Sequence, residues 1–262
     1  MKRASPIAFI EDDDPFPPVE AALGPQTDWP GLLAVGGHLS LQRLEQAYRS
    51  GIFPWYAQGQ PVLWWAPDPR MVLRTAHFTL SRSLSKTLRR FLATEGCALR
   101  VDHDVERVMA ACAQSPRGGQ SGTWITPQMQ QAYAAWYRAG RVHSFEVWQG
   151  KAMVGGLYGV NIGRMFFGES MFSACTDASK WALAALVAAC RRRGIDWIDC
   201  QQNTPHLASL GAAEVPRAEF MRHVDKACAA PAVEDWFYDP KDWLLVGVDP
   251  PWQANAPASR AG

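Results

Sequence analysis

Three consecutive stretches of the chain alternate apolar with polar or small residues: His143 to Trp148, Ala152 to Val160 and Arg164 to Glu169. Gln149-Gly150-Lys151 and Asn161-Ile162-Gly163 separate them, so the pattern predicts an antiparallel meander of three strands. The period then changes. Ser179 to Arg193 is a strongly apolar helical stretch stopped by Gly194, and Ile195 to Gln201 reads as one further strand. The order is β-β-β-α-β. Arg191, Arg192 and Arg193 close the helix where its dipole favours cations, which explains them without a ligand.

Upstream of the meander, residues 1–30 are rich in proline, carry the acidic run Glu11 to Asp14 and read as an extended lead-in. Gly31 to Gly37 predicts a short strand closed by a glycine turn. Ser40 then caps a helix with Leu41, Leu44, Ala47 and Tyr48 on one face. The aromatics of Ile52 to Tyr56 and Val62 to Pro67 lie among prolines, which places them on loops or edge strands. His77 to Leu92 predicts a helix burying Leu80, Leu84, Leu88 and Phe91 or Leu92. A strand and a short helix are expected over 98–114, and a flexible loop over Arg117 to Gly122. Thr126 caps a helix with Pro127 at its first position, packing Met129, Tyr133, Trp136 and Tyr137. Pro205 to Leu210 predicts a helical turn, and Ala218 to Ala229 a helix. The expected fold class is α+β: a small N-terminal α/β domain over 1–69, a larger mixed-sheet domain flanked by helices over 70–248, and a disordered tail over 249–262.

The chain has 262 residues, 48% apolar and 19% charged, enough to bury a real core. A net charge of +1 restricts any nucleic-acid contact to a local patch. Arg82, Lys86, Arg89 and Arg90 offer such a patch, gathered on one helix face with no acidic residue between them. On residues alone, a solvated face and a phosphate-contacting face both stand open. Six cysteines include no C-x-x-C pair, and no apolar run follows Met1-Lys2-Arg3. Reduced thiols in the cytoplasm are therefore expected. The longest apolar run, Trp181 to Cys190, is too short to cross a bilayer.

The candidate chemistry lies in Phe166 to Ser173 and Ile198 to Gln201. An apolar run surrounds the carboxylate of Glu169, which is costly to bury without a partner or a substrate cation. Strand alternation should turn Asp199 and Gln201 to one side, with Trp197 beneath them. The six histidines are scattered without metal-ligand spacing, so no metal is expected. Gly168-Glu169-Ser170 does not match a serine-nucleophile elbow, and nothing local activates Cys200. The residue set can orient an amine and steer protons, which suits acyl transfer between partners that arrive already reactive. The β-β-β-α-β order resembles CoA-dependent N-acetyltransferases. Their glycine-rich pyrophosphate loop should fall at residues 170–181, where no glycine occurs, so CoA is not the expected donor and no cofactor is expected.

An ordered series of strings closely resembles the bacterial leucyl/phenylalanyl-tRNA–protein transferase family. They include Gly31-Leu32-Leu33-Ala34 with Gly36-Gly37, Gly51 to Trp55, Trp64 to Arg70, Ser81-Arg82-Ser83 and Gly122 to Thr126. The series continues with His143-Ser144, Glu146-Val147-Trp148, Gly155 to Val160, Gly168 to Ser173, Ser179-Lys180, Ile198 to Gln201 and Ser209 to Ala212. His38 departs from the acidic residue usual after the double glycine, and the chain extends past the usual C-terminus.

The resemblance implies an acetyltransferase-like C-terminal domain. It also implies transfer of Leu or Phe, and less well Met, from aminoacyl-tRNA to a protein with N-terminal Arg or Lys, marking it for degradation. Asp199 and Gln201 are then expected to handle the attacking amine and the tetrahedral intermediate, with Asp199 polarising or orienting Gln201. An ion pair at a strand end is the bland alternative for Asp199. Glu169 would bind either the acceptor's N-terminal residue or the donor's own ammonium. Trp55, Trp124, Leu157 and Phe166 would line the donor pocket, unless Phe166 is plain core. Arg82, Lys86, Arg89 and Arg90 would meet the tRNA acceptor stem. Two rivals are a peptidoglycan-type tRNA-dependent aminoacyltransferase and a non-catalytic tRNA-binding module.

Overall fold

A computed structural model describes residues 7–115 and 123–249. The expectations for the loop at 117–122 and for the tail after 249 fall outside the described residues. In chain order the elements are β1 (Ala8–Ile10), β2 (Leu32–Gly36), α1 (Leu41–Arg49), β3 (Phe53–Pro54), β4 (Leu63–Trp65), β5 (Arg70–Arg74), α2 (Arg82–Ala93), β6 (Cys97–Val101) and α3 (Val105–Gln114). There follow α4 (Pro127–Arg138), β7 (Val142–Gln149), β8 (Ala152–Ile162), β9 (Met165–Ser173), α5 (Ala178–Arg192), β10 (Trp197–Gln201), α6 (Pro205–Ala208), β11 (Ala213–Val215) and α7 (Arg217–Ala229).

The first four strands form a small sheet in the order β1-β2-β4-β3. Pro54 lies on the edge strand β3, where a missing N–H costs no ladder bond. Trp64 and Trp65 depart from expectation, because β4 is an interior strand between β2 and β3. Their flanking prolines stop short of the ladder, and both indole N–H groups find carbonyls, Gly36 O at 2.9 Å and Trp55 O at 2.7 Å. A side chain at Gly36 would strike Ile10 O, and its φ of +108° suits glycine alone. Ser40 Oγ accepts the Arg43 N–H and starts α1, which buries Leu44, Ala47 and Tyr48.

The remaining seven strands form one mixed sheet, β11-β5-β10-β9-β8-β7-β6. The antiparallel meander is β7-β8-β9, and α5 crosses over to β10, which runs parallel to β9. One face of this sheet, with Tyr158 and Phe167, shares its core with α3, α4 and the small sheet. The other face, with Leu157 and Phe166, is covered by α2, α5 and Trp243. The basic helix begins at Arg82 rather than His77. Ser81 Oγ accepts the Leu84 N–H and sets the start, while His77 ends a separate short turn. The arginines after α5 fasten the C-terminal segment: Arg192 pairs with Asp239 and Asp242, and Arg193 donates to Asp235 O. Among the described residues no helix is long and apolar enough to cross a membrane.

Candidate active site

The β9–β10 ladder is short, pairing Ile198 with Phe166 and Asp199 with Phe167. Beyond it the two strands no longer pair, and a cleft of about 630 Å³ opens there. Glu169 and Met171 of β9 line it, with Asp199, Cys200 and Gln201 at the end of β10. Leu157 of β8, Leu183 and Leu186 of α5, and Phe53, Trp55 and Trp124 supply apolar wall. Three of the four residues expected in a donor pocket therefore share one cavity. Phe166 does not line it. Its ring is fully buried in the core shared with α5, 5.6 Å from the Trp236 ring.

Glu169 is nearly buried, and its partners are hydroxyls and an amide rather than a cation. Its Oε1 accepts the Tyr48 hydroxyl at 2.5 Å and the Gln201 side-chain amide at 3.3 Å. The Tyr48 and Tyr133 hydroxyls bond to each other. Burial pushes the Glu169 carboxyl up to about 8 from its ordinary 4.5. The hydrogen bonds from Tyr48 and Tyr133 and the Arg70 charge oppose the rise, and the Asp199 charge adds to it. Burial likewise raises both tyrosines well above their usual range. Burial thus favours the protonated form of the Glu169 carboxyl and of both phenols.

Asp199 exposes no surface and forms a fork-to-fork pair with Arg70. Arg70 Nε reaches Oδ1 at 2.8 Å and its NH2 reaches Oδ2 at 2.7 Å. Oδ1 also accepts the backbone N–H of Gln201 at 2.8 Å. The bland reading, an ion pair, is thus present, and in the same contact Asp199 fixes Gln201. Simple alternation fails here. The register shifts between Asp199 and Gln201, and Gln201 takes φ of +62°. Its amide reaches Glu169 from that bulge. Trp197 instead stacks on His223 at 4.1 Å and carries the Arg74 guanidinium at 4.9 Å.

Three residues of the site have no role that sequence reasoning assigns: Arg70, Tyr48 and Tyr133. Arg70 stands in the string Trp64 to Arg70, but no spacing rule links it to Asp199. Tyr48 and Tyr133 fall on the buried faces of α1 and α4, the one available hint that their hydroxyls need partners.

Arg82, Lys86, Arg89 and Arg90 are all exposed on α2, and Arg89 lies 3.8 Å from Asp249. The helix is tied to the start of α5, since Thr87 bonds to Asp177 at 3.2 Å and Phe91 stacks on Trp181 at 4.7 Å. Asp177 also pairs with Lys180, so a carboxylate stands at the α5 N-terminus. The Cys200 thiol in the cleft wall is pushed far up by burial, which keeps it from acting as a thiolate.

An apolar cleft at the parting of two strands, with a carboxyl and an amide in contact at its wall, is a layout suited to an acyl-transferring enzyme. The profile of the leucyl/phenylalanyl-tRNA protein transferases matches residues 72–225, and that of their N-terminal domain matches residues 37–68. The chain belongs to the leucyl/phenylalanyl-tRNA–protein transferase family, and it is an aminoacyltransferase. It is similar to the leucyl/phenylalanyl-tRNA–protein transferase of Leptothrix cholodnii, at 59% identity over 255 residues, which are 96% of this chain and 100% of that one. Its counterpart in Methylibium petroleiphilum is 56% identical over 244 residues, 93% of this chain and 92% of the relative. Among solved structures, FemX aligns with 67% of this chain and 66% of its own at 11% identity and a TM-score of 0.42.

Proposed function

We propose that this chain moves Leu or Phe, and less well Met, from aminoacyl-tRNA to the α-amine of an N-terminal Arg or Lys, marking the acceptor protein for degradation in the cytoplasm. The small unit through Pro69 and the larger unit from Arg70 then act as two domains about one cleft. The observation that carries this reading is the contact of Gln201 with Glu169 inside an aromatic-walled cleft.

The reaction forms one N–C bond and breaks the C–O bond to the terminal ribose. One proton leaves the amine and one reaches the ribose oxygen. The donor ester is already activated, so neither ATP nor metal is called for. The attacking α-amine has a reference pKa near ~8, so a useful fraction is neutral. Gln201 and Glu169 hold the amine and the charge that develops beside it, with Asp199 orienting Gln201. Trp55, Trp124 and Leu157 receive the donor side chain, and Arg82, Lys86, Arg89 and Arg90 receive acceptor-stem phosphates.

The test mixes the protein with labelled Leu-tRNA and an Arg-initiated peptide, without ATP or metal. The expected product is a Leu–Arg peptide bond. Binding of the tRNA with its aminoacyl group left in place, or transfer only to cell-wall peptides, overturns the reading.

A further inference from the structure

The hydrogen bonds that reach the cleft close into a ring. Glu169 accepts the Tyr48 hydroxyl at 2.5 Å, and the Tyr48 carbonyl accepts the Gly51 N–H at 3.0 Å. The Gly51 carbonyl accepts from Arg70 NH1 at 3.1 Å, and Arg70 donates to both oxygens of Asp199. Asp199 accepts the Gln201 backbone N–H, and the Gln201 amide returns to Glu169 at 3.3 Å. Arg70 joins the two halves of the ring, the turn after α1 and the end of β10.

We propose that Arg70 is a positioning residue for the transfer. Through Asp199 it holds Gln201 in its bulged conformation, and through Gly51 it holds the turn that presents Tyr48. Asp199 then serves as the anchor for Gln201 and not as a proton acceptor.

Three observations carry this. Asp199 exposes no surface, and three N–H donors from Arg70 and Gln201 already bond its two oxygens, so burial sets it apart from an amine in the cleft and its bonds tie it to Arg70 and Gln201. Gln201 sits at φ of +62°, a region disfavoured for any residue with a Cβ, and it persists there because its N–H is tied to Asp199. The guanidinium carbon lies 4.7 Å from the Phe53 ring centroid and 4.6 Å from that of Phe220, while its nitrogens donate to Asp199 and Gly51. A lysine could supply the charge at this position but neither the planar fork nor the third contact.

The inference rests on the proposed transfer activity, so wild type is assayed alongside with Leu-tRNA and the Arg-initiated peptide. The decisive variant is Arg70→Lys. Corrected for its folded fraction, its kcat should fall at least about tenfold while KM for both substrates stays within about twofold. In Arg70→Ala, guanidinium chloride at millimolar concentration should restore part of the missing kcat, and it should leave wild type unchanged. An Arg70→Lys protein with wild-type kcat, one altered only in KM, or one that no longer folds overturns the proposal. So does a folded Arg70→Ala protein that guanidinium does not rescue. A wild type that transfers nothing overturns the functional reading and this inference together, an outcome distinct from a lowered kcat in one variant.

Discussion

Tyr48, 121 residues ahead of Glu169 in the chain, donates its hydroxyl to that carboxyl at 2.5 Å. The contact crosses from α1 beside the small sheet to β9 of the large one. It gives the buried acid a neutral partner within the chain. Burial raises such a carboxyl's hold on its proton, and a nearby positive charge would lower it. On the proposed function, an entering ammonium should draw the proton from this carboxyl, which the proton-release measurement below tests.

The raised Glu169 carboxyl has a stability consequence. Between about pH 4.5, its ordinary value, and about pH 8, the folded chain holds a proton that the unfolded chain has released. The unfolded state binds fewer protons there, so this group makes stability fall as pH rises through that window, by at most about 1.4 kcal/mol per pH unit. Glu169→Gln keeps the shape and removes the titration. Urea midpoints measured from pH 5 to 8 should decline more steeply for wild type than for Glu169→Gln; parallel curves would refute the assignment.

The same carboxyl should release a proton when the cleft fills. Titration of wild type at pH 7 with a non-hydrolysable phenylalanyl-adenosine analogue, which carries a free ammonium, is expected to release up to about one proton. Calorimetry in buffers of different ionisation enthalpy reads this number directly. Glu169→Gln should release none. Equal release from both proteins would show that the ammonium binds elsewhere.

Asp199→Asn separates orientation from burial. The variant leaves Arg70 facing a neutral amide, and breaking a buried pair in this way costs about 3–5 kcal/mol. Its melting temperature should fall. Among molecules that remain folded, single-turnover transfer should be at least about tenfold slower, because the amide can offer its oxygen to Gln201 only by turning its NH2 against Arg70, which loosens the contact that fixes Gln201. A rate that simply tracks the folded fraction would reduce Asp199 to a structural role.

Much of this architecture was legible in local pattern. Ser40 and Thr126 each cap the helix they announce, and the period-two stretches form the β7-β8-β9 meander. Glu169, Asp199 and Gln201 do line one cleft with Trp55, Trp124 and Leu157. What stayed hidden depends on contacts between distant segments. Arg70 meets Asp199 across 129 residues because β5 pairs with β10, and no periodicity encodes that pairing. The bulge beyond Asp199 breaks the alternation on which the side-by-side reading relied. Phe166 and Phe167 are adjacent, yet they serve opposite faces of the sheet: Phe167 packs 5.1 Å from Tyr48 while Phe166 joins the core with α5. An apolar pair reads alike from sequence whichever member faces a cavity.

The cations of α2 should act through phosphate. Removing one cation that neutralises a phosphate lowers the slope of log affinity against log salt by roughly 0.7–0.9. Replacing Arg82 and Arg90 together by Glu should raise KM for Leu-tRNA steeply and flatten its salt dependence. The same double variant should use a leucyl-adenosine donor as wild type does, since that donor has no stem to bind. An equal defect with both donors would place these residues in folding instead. Arg89 is the least informative of the four to change, because it already has an acidic neighbour in Asp249.

The donor pocket should discriminate by shape more than by polarity. Leu157, Leu183, Leu186 and Met171 supply aliphatic wall, and Trp55 stands against Trp65 with ring centroids 5.3 Å apart, which limits its freedom to move aside. A Val side chain lacks a methylene that Leu would bury and branches where the cleft should be narrow. A missing methylene alone is worth about 1–3 kcal/mol, so phenylalanyl- or leucyl-adenosine should outcompete valyl-adenosine by about tenfold or more. Met171→Trp would fill part of the cavity, and its larger ring should weaken the phenylalanyl analogue more than the smaller leucyl one. Competition measured against labelled Leu-tRNA distinguishes these outcomes. Equal binding of the valyl and phenylalanyl analogues to wild type would mean that the donor side chain does not lie in this cleft.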